Sequence, residues 1–260
     1  MSSRNFLDEA VGAFREAGVA AGVEVLFDNL VLWRAVRWYN RFVGAAYAPP
    51  TDDDRYRAVE SRAREPTDFS DHLHHLYTES LKQNPATIVE VGVRGGESTF
   101  VFERVAERCN ADLVSVDLDD CSNVSDYEEW HFVQANGVEF GAEFPSWADE
   151  NGVGREIDVL FIDTTHEFAE TLGEIDAWFP NLAERATVFF HDTNLTKLYR
   201  RSDGTIGLAW NNERAVIRAL ESRFDAEFDE SSEFSTVQSN YVIEHDPLCN
   251  GLTTVHRLPD

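Results

Sequence analysis

Between residues 87 and 193 the chain repeats one pattern: a short apolar run closed by a polar or acidic residue, then a stretch of helical spacing. The runs are TIVEVGV (87 to 93), DLVSVDL (112 to 118), HFVQA (131 to 135), DVLFIDT (158 to 164) and TVFFHDT (187 to 193). Nearly continuous apolar runs of this length are what strands buried on both faces require. Helical spacing between them, around 98 to 109, 168 to 182 and 210 to 224, makes the order βαβα. That order predicts an α/β fold, a doubly wound, Rossmann-like, mostly parallel sheet. The tail TVQSNYVIEHDPLCNGLTTVHRL reads as an antiparallel strand pair closing the sheet, for seven strands in all, with Pro247 and Gly251 in the connection.

Before this pattern, apolar residues from about 7 to 48 fall at helical steps, as at Val19, Val23, Leu26, Leu30 and Trp33. Glu24, Asp28, Arg34, Arg37 and Arg41 interrupt the segment, so it is no membrane span. An N-terminal helical arm is expected, packed on its own domain, on a second copy as a homodimer, or at a membrane surface through Trp33, Trp38 and Tyr39. The run APPTDDDRYRAVESRAREP then reads as a solvated linker with a short helix. It divides an arm and linker (1 to 66) from the main domain (67 to 260).

Composition narrows the partners. With 48 Asp and Glu against 22 Lys and Arg the formal charge is -26, and Lys82 and Lys197 are the only lysines. A surface so acidic repels phosphate backbones, which excludes nucleic acid as the main substrate. It suits a salt-rich cytoplasm, where the screening length falls to about 3 Å at 1 M, and so a halophilic archaeon. The 18 Phe and 6 Trp mark a folded protein. Cys109, Cys121 and Cys249 form no Cys-x-x-Cys pair, so neither a disulfide framework nor a zinc site is expected. The opening MSSRNFLDEA has no apolar leader core, and a cytoplasmic location is expected, with peripheral contact at the inner face of the membrane if the arm docks there.

Ligands of a doubly wound sheet bind beyond the carboxyl ends of its strands. The first run ends in Glu90-Val91-Gly92-Val93-Arg94-Gly95-Gly96, where Gly92, Gly95 and Gly96 permit a sharp turn and close approach to a ligand. The second ends at Asp117, followed by Asp119 and Asp120; Asp117 is either a ribose-diol acceptor or a turn aspartate. The fourth ends in Asp163-Thr164-Thr165-His166 and the fifth in His191-Asp192-Thr193-Asn194. Asp163 and Asp192 are hard oxygen ligands suited to magnesium, or else acceptors for loop hydrogen bonds. His72, His74 and His75 lack the i, i+4 spacing of a ligand pair and read as solvated or capping residues.

Taken in order, VEVGVRGGEST, VSVDLDD, DVLFIDTTHEF and TVFFHDTN resemble the class I S-adenosylmethionine-dependent methyltransferases. Within them they look like the branch of sugar O-methyltransferases and cephalosporin-hydroxylase-like proteins, haloarchaeal hexuronic-acid methyltransferases of S-layer N-glycosylation included. The resemblance implies S-adenosylmethionine as cofactor, with Glu90 and Gly92 by its methionine moiety, Asp117 on ribose, and Gln134 to Gly137, Asn136 among them, near adenine. It also implies a magnesium ion on Asp163 and an acidic residue after the fifth strand, with His166 as base. His191 stands where relatives often carry an acid, which leaves a weaker magnesium site or one suited to manganese. The acceptor implied is a sugar or lipid-linked glycan. A nicotinamide-dependent dehydrogenase is the rival, but the glycines are spaced Gly-x-x-Gly-Gly and no Tyr-x-x-x-Lys is present. A non-catalytic cofactor-binding scaffold is the third reading.

Overall fold

The computed structural model describes residues 19–36 and 53–259. Its centre is an eight-stranded sheet of order β3-β2-β1-β4-β5-β10-β9-β8. The strands are β1 Thr87–Val91, β2 Asp112–Asp117, β3 Trp130–Gln134, β4 Ile157–Ile162, β5 Leu182–His191, β8 Phe234–Gln238, β9 Tyr241–Asp246 and β10 Leu252–Arg257. The first five pair in parallel, β10 runs antiparallel between β5 and β9, and β8 adds an antiparallel edge. A small hairpin of β6 (Leu198–Arg200) and β7 (Ile206–Leu208) stands apart.

Helices cover both faces, and the strands divide their side chains between two cores with the period of two that the pleat imposes. Val89, Val91, Val114, Val116, Leu160, Ile162 and Phe190 face α5 (Gly137–Asn151), α6 (Phe168–Trp178) and α7 (Ala215–Phe224) through Phe144, Trp178 and Leu220. Ile88, Leu113, Val159, Phe161 and Phe189 face α3 (Leu73–Gln83) and α4 (Glu97–Cys109) through Leu76, Tyr77 and Phe102. Both sets are apolar, which is why the runs read as continuous in the sequence.

Two expectations need correction, and one helix was not expected at all. The sheet has eight strands rather than seven, because Phe234–Gln238 pairs with β9 along its full length. The segment after Ala48 is more than a solvated linker: α2 (Asp54–Ala63) buries Val59 completely against the α3 and α4 core. A fifteen-residue helix, α5, occupies a stretch whose Gly137, Gly141 and Pro145 conceal it. Pro145 has no N–H to give to Gly141, four residues back, and the Asn181 side chain donates to that carbonyl instead at 3.0 Å. Gly141 is small because Trp178 of α6 would lie 2.8 Å from any Cβ there.

The described part of the arm is helical, α1 (Val19–Phe27) continuing into a π-helical turn (Asp28–Leu32). Val19, Val23, Phe27 and Val31 are each more than half exposed, so the described residues do not cover that stripe. Arg37, Trp38, Tyr39 and Arg41, with residues 7 to 18 and 42 to 48, lie outside the described residues. Among the described residues no helix is long and apolar enough to cross a membrane.

Candidate active site

At the carboxyl ends of β1, β2 and β4 lies a cleft of about 620 Å³, lined by Gly92, Arg94, Asp117, Leu118, Asp119, Asn136, Gly137, Asp163, Thr164, Thr165, His166, Glu170, Glu174 and Trp210, among others. One end is built around the glycine turn. Gly92 has φ +96°, and a Cβ on it would lie 2.0 Å from the Asp163 carbonyl oxygen, so the β1 and β4 loops touch there. Asp117 Oδ2 accepts the amides of Val93 and Arg94 at 2.8 and 3.0 Å, and its Oδ1 accepts that of Asp119 at 2.9 Å. Burial works against its charge, but these amides outweigh burial and hold its carboxyl below the usual range. Asp117 thus fastens the glycine turn while lining the cleft.

Other residues expected beside the cofactor are placed less directly. Glu90 lies beneath the cleft with no exposure and does not line it; Ser98, Thr99 and Ser115 donate their hydroxyls to its carboxylate at 2.5, 2.8 and 2.7 Å. Burial pushes its pKa up to about 7 despite those donors. Gly96, at φ +79°, begins α4 under Val124, and neither it nor Gly95 lines the cleft. Gln134 is exposed, off the cleft, and donates to the Leu118 carbonyl at 3.0 Å. Asn136 does line it, capping α5 with its oxygen and donating to Glu170 at 3.3 Å.

At the other end Asp163 and His166 line the cleft, and His191 and Asp192, which do not line it, lie buried against them. His166 Nε2 lies 3.0 Å from Asp192 Oδ2, and its Nδ1 lies 3.8 Å from Asp163 Oδ1. His191 Nδ1 lies 3.5 Å from Asp163 Oδ1 and 3.3 Å from Asp192 Oδ1. His166 and Asp192 both hold positive φ, at +58° and +56°, which aims both side chains inward from the turns after the strands. Burial opposes charge on each imidazole, but the carboxylates prevail, raising His166 and pushing His191 up to about 9. Asp163, His191 and Asp192 offer one ligand atom each within 4.8 Å of one another. Both nitrogens of His191 and Oδ1 of Asp192 are buried without a hydrogen-bond partner among the described residues, and oxygen and imidazole donors together suit a divalent ion.

Of the three histidines His72 alone is fully buried, while His74 and His75 are half-buried and paired. His72 is edge-on to His191 with ring centroids 5.3 Å apart; His74 meets Glu60 at 2.6 Å and His75 meets Thr254 at 2.8 Å. His72 stands just before α3 and lies in the core, whereas His74, on α3, turns to Glu60 of α2. Sequence reasoning passed over Glu170, Glu174 and Trp210. The two glutamates are spaced i, i+4 on α6, the one signal available, and burial pushes Glu174 up to about 8.

Residues 89–193 match the family model described as a methyltransferase domain. No curated protein sequence matches the chain. Among solved structures, the SAH-bound methyltransferase PaMTH1 of Podospora anserina superposes with a TM-score of 0.51 at 13% identity, over 88% of this chain and 95% of that one. The MycE methyltransferase of the mycinamycin biosynthetic pathway, in complex with Mg and SAH, superposes with a TM-score of 0.51 at 17% identity. That superposition takes in 99% of this chain and 62% of MycE, so the chain spans about three-fifths of MycE's length. Over residues 89–193 the chain is thus similar to a methyltransferase domain, and it shares its fold with those two methyltransferases.

Proposed function

We propose that the protein transfers the sulfonium methyl of S-adenosylmethionine to an oxygen of a sugar, a hexuronic acid of a lipid-linked or surface glycan. The observation that carries this reading is the single cleft joining the Gly92 and Asp117 end to the Asp163 and His166 end. The first end suits the donor: a glycine turn admits the methionine part, and the Asp117 carboxylate suits ribose hydroxyls. His166 suits the acceptor. In the transfer, the oxygen-carbon bond forms as the carbon-sulfur bond breaks, the acceptor proton passes to His166, and S-adenosylhomocysteine leaves. Asp192, 3.0 Å from His166 Nε2, orients the ring and stabilises its protonated form. The chain otherwise aligns three atoms, and such positioning supplies about 7 to 11 kcal/mol in ideal intramolecular cases.

Asp163, His191 and Asp192 would hold a magnesium or manganese ion. Such an ion, when bound, orients an acceptor oxygen and lowers its pKa. A sugar acceptor is supported by the resemblance of the four strand-end motifs to sugar O-methyltransferases. The exposed apolar stripe of α1, tied to the β5–β6 loop where Asp28 meets Lys197 at 3.3 Å, supports a lipid-linked one.

Transfer of labelled methyl to a hexuronic-acid glycoside, before and after chelation, tests the reading. Chelation is expected to abolish turnover without weakening donor binding, and magnesium or manganese to restore it. Full activity after exhaustive chelation would reduce Asp163 and Asp192 to loop acceptors.

A further inference from the structure

Two large apolar side chains in the cleft wall stand mostly in water: Leu118, 61% exposed, and Trp210, 54% exposed. They mark its two ends. Leu118 follows Asp117 directly, whereas the Trp210 ring lies over His166, centroids 5.8 Å apart and planes inclined by 41°. Trp210 stands between β7 and α7, and this connection is fastened on both sides of the indole. The Ala209 amide donates to the Lys197 carbonyl at 3.1 Å, and Asn212 Nδ2 donates to the Asp192 carbonyl at 3.1 Å. The backbone that carries the indole is therefore tied to the residue that orients His166.

An exposed indole is costly to hydrate, and an isolated one on a surface needs no explanation. This one lines a cleft against the candidate base, where any acceptor must come. We infer that Trp210 is the floor of the acceptor subsite, on which the C–H face of a pyranose stacks so that one of its oxygens meets His166. This inference rests on the methyltransferase reading above. A pyranose suits the site because, among the described residues, the indole is the one large aromatic wall at this end, while Asp163, Thr165 and His166 line it with hydrogen-bonding groups. A flat phenol calls for apolar cover on both ring faces, which this end of the cleft does not supply among the described residues.

The test is saturation-transfer NMR on the full chain with S-adenosylhomocysteine present, using the methyl glycoside of glucuronic acid and catechol as probes, for wild type, Trp210→Phe and Trp210→Ala. The glycoside's ring C–H signals are expected to respond in wild type and Trp210→Phe. In Trp210→Ala its affinity is expected to fall about tenfold, with S-adenosylhomocysteine affinity, measured by calorimetry, equal in all three. Unchanged glycoside contact in Trp210→Ala, no contact in wild type, or preference for catechol overturns the inference while donor binding stands. If wild type fails to bind S-adenosylhomocysteine, the methyltransferase reading falls, and the acceptor floor with it.

Discussion

Replacing His166 with alanine is expected to slow methylation of a sugar hydroxyl by about 10² to 10⁴-fold, the usual worth of a positioned general base, with donor affinity unchanged. The hydroxyl must lose its proton as it attacks, and the imidazole held by Asp192 is the acceptor at hand. A uronic-acid carboxylate, with a pKa near about 4, is already ionised at neutral pH and needs no base. Ester formation should therefore fall only modestly in the same variant. His166 sits at φ +58°, where alanine is strained, so His166→Asn, which tolerates that backbone, separates loss of the base from loss of the turn. Comparing kcat on hydroxyl and carboxylate acceptors decides the matter. Equal losses on both would reduce His166 to a positioning residue.

Gly92→Ala is expected to destabilise the fold by about 3 kcal/mol or more, the range of core overpacking joined to backbone strain. The added carbon would lie 2.0 Å from the backbone oxygen of Asp163, which no side-chain rotation relieves, at a φ of +96°. Gly95→Ala is the control: nothing lies within 4 Å of its position, and a change of under about 1 kcal/mol is expected. Chemical denaturation of both variants measures the difference. A wild-type midpoint for Gly92→Ala would mean that the β1 and β4 loops do not touch in solution.

The central parallel strands β1, β2, β4 and β5 were legible because each is largely apolar on both faces, the edge strand β3 by its shorter run, and their polar ends pointed to one side of the sheet. Asp163, His166, His191 and Asp192 could be named from their places after β4 and β5, and the fold brings their side chains together. What escaped the sequence did so for local reasons. Helix α5 carries breaker residues whose cost is offset elsewhere, Pro145 by Asn181 and Gly141 by the close approach of Trp178. Glu90 looks like a ligand of the first loop but is consumed by three hydroxyls, two of them from α4 and one from β2. The burial of His72 depends on the face by which α3 packs, which a three-histidine cluster does not disclose. Trp210 has no periodic neighbours, and its place over His166 comes from tertiary ties at Ala209 and Asn212.

Isothermal titration of the full chain with S-adenosylmethionine, S-adenosylhomocysteine and NAD tests the central claim most directly. The first two are expected to bind at one site per chain and NAD not at all. Asp117→Ala should weaken both ligands by about 1.5 to 3 kcal/mol, the worth of a hydrogen bond to a charged group. Binding of NAD in place of S-adenosylmethionine, or of neither, would contradict the account.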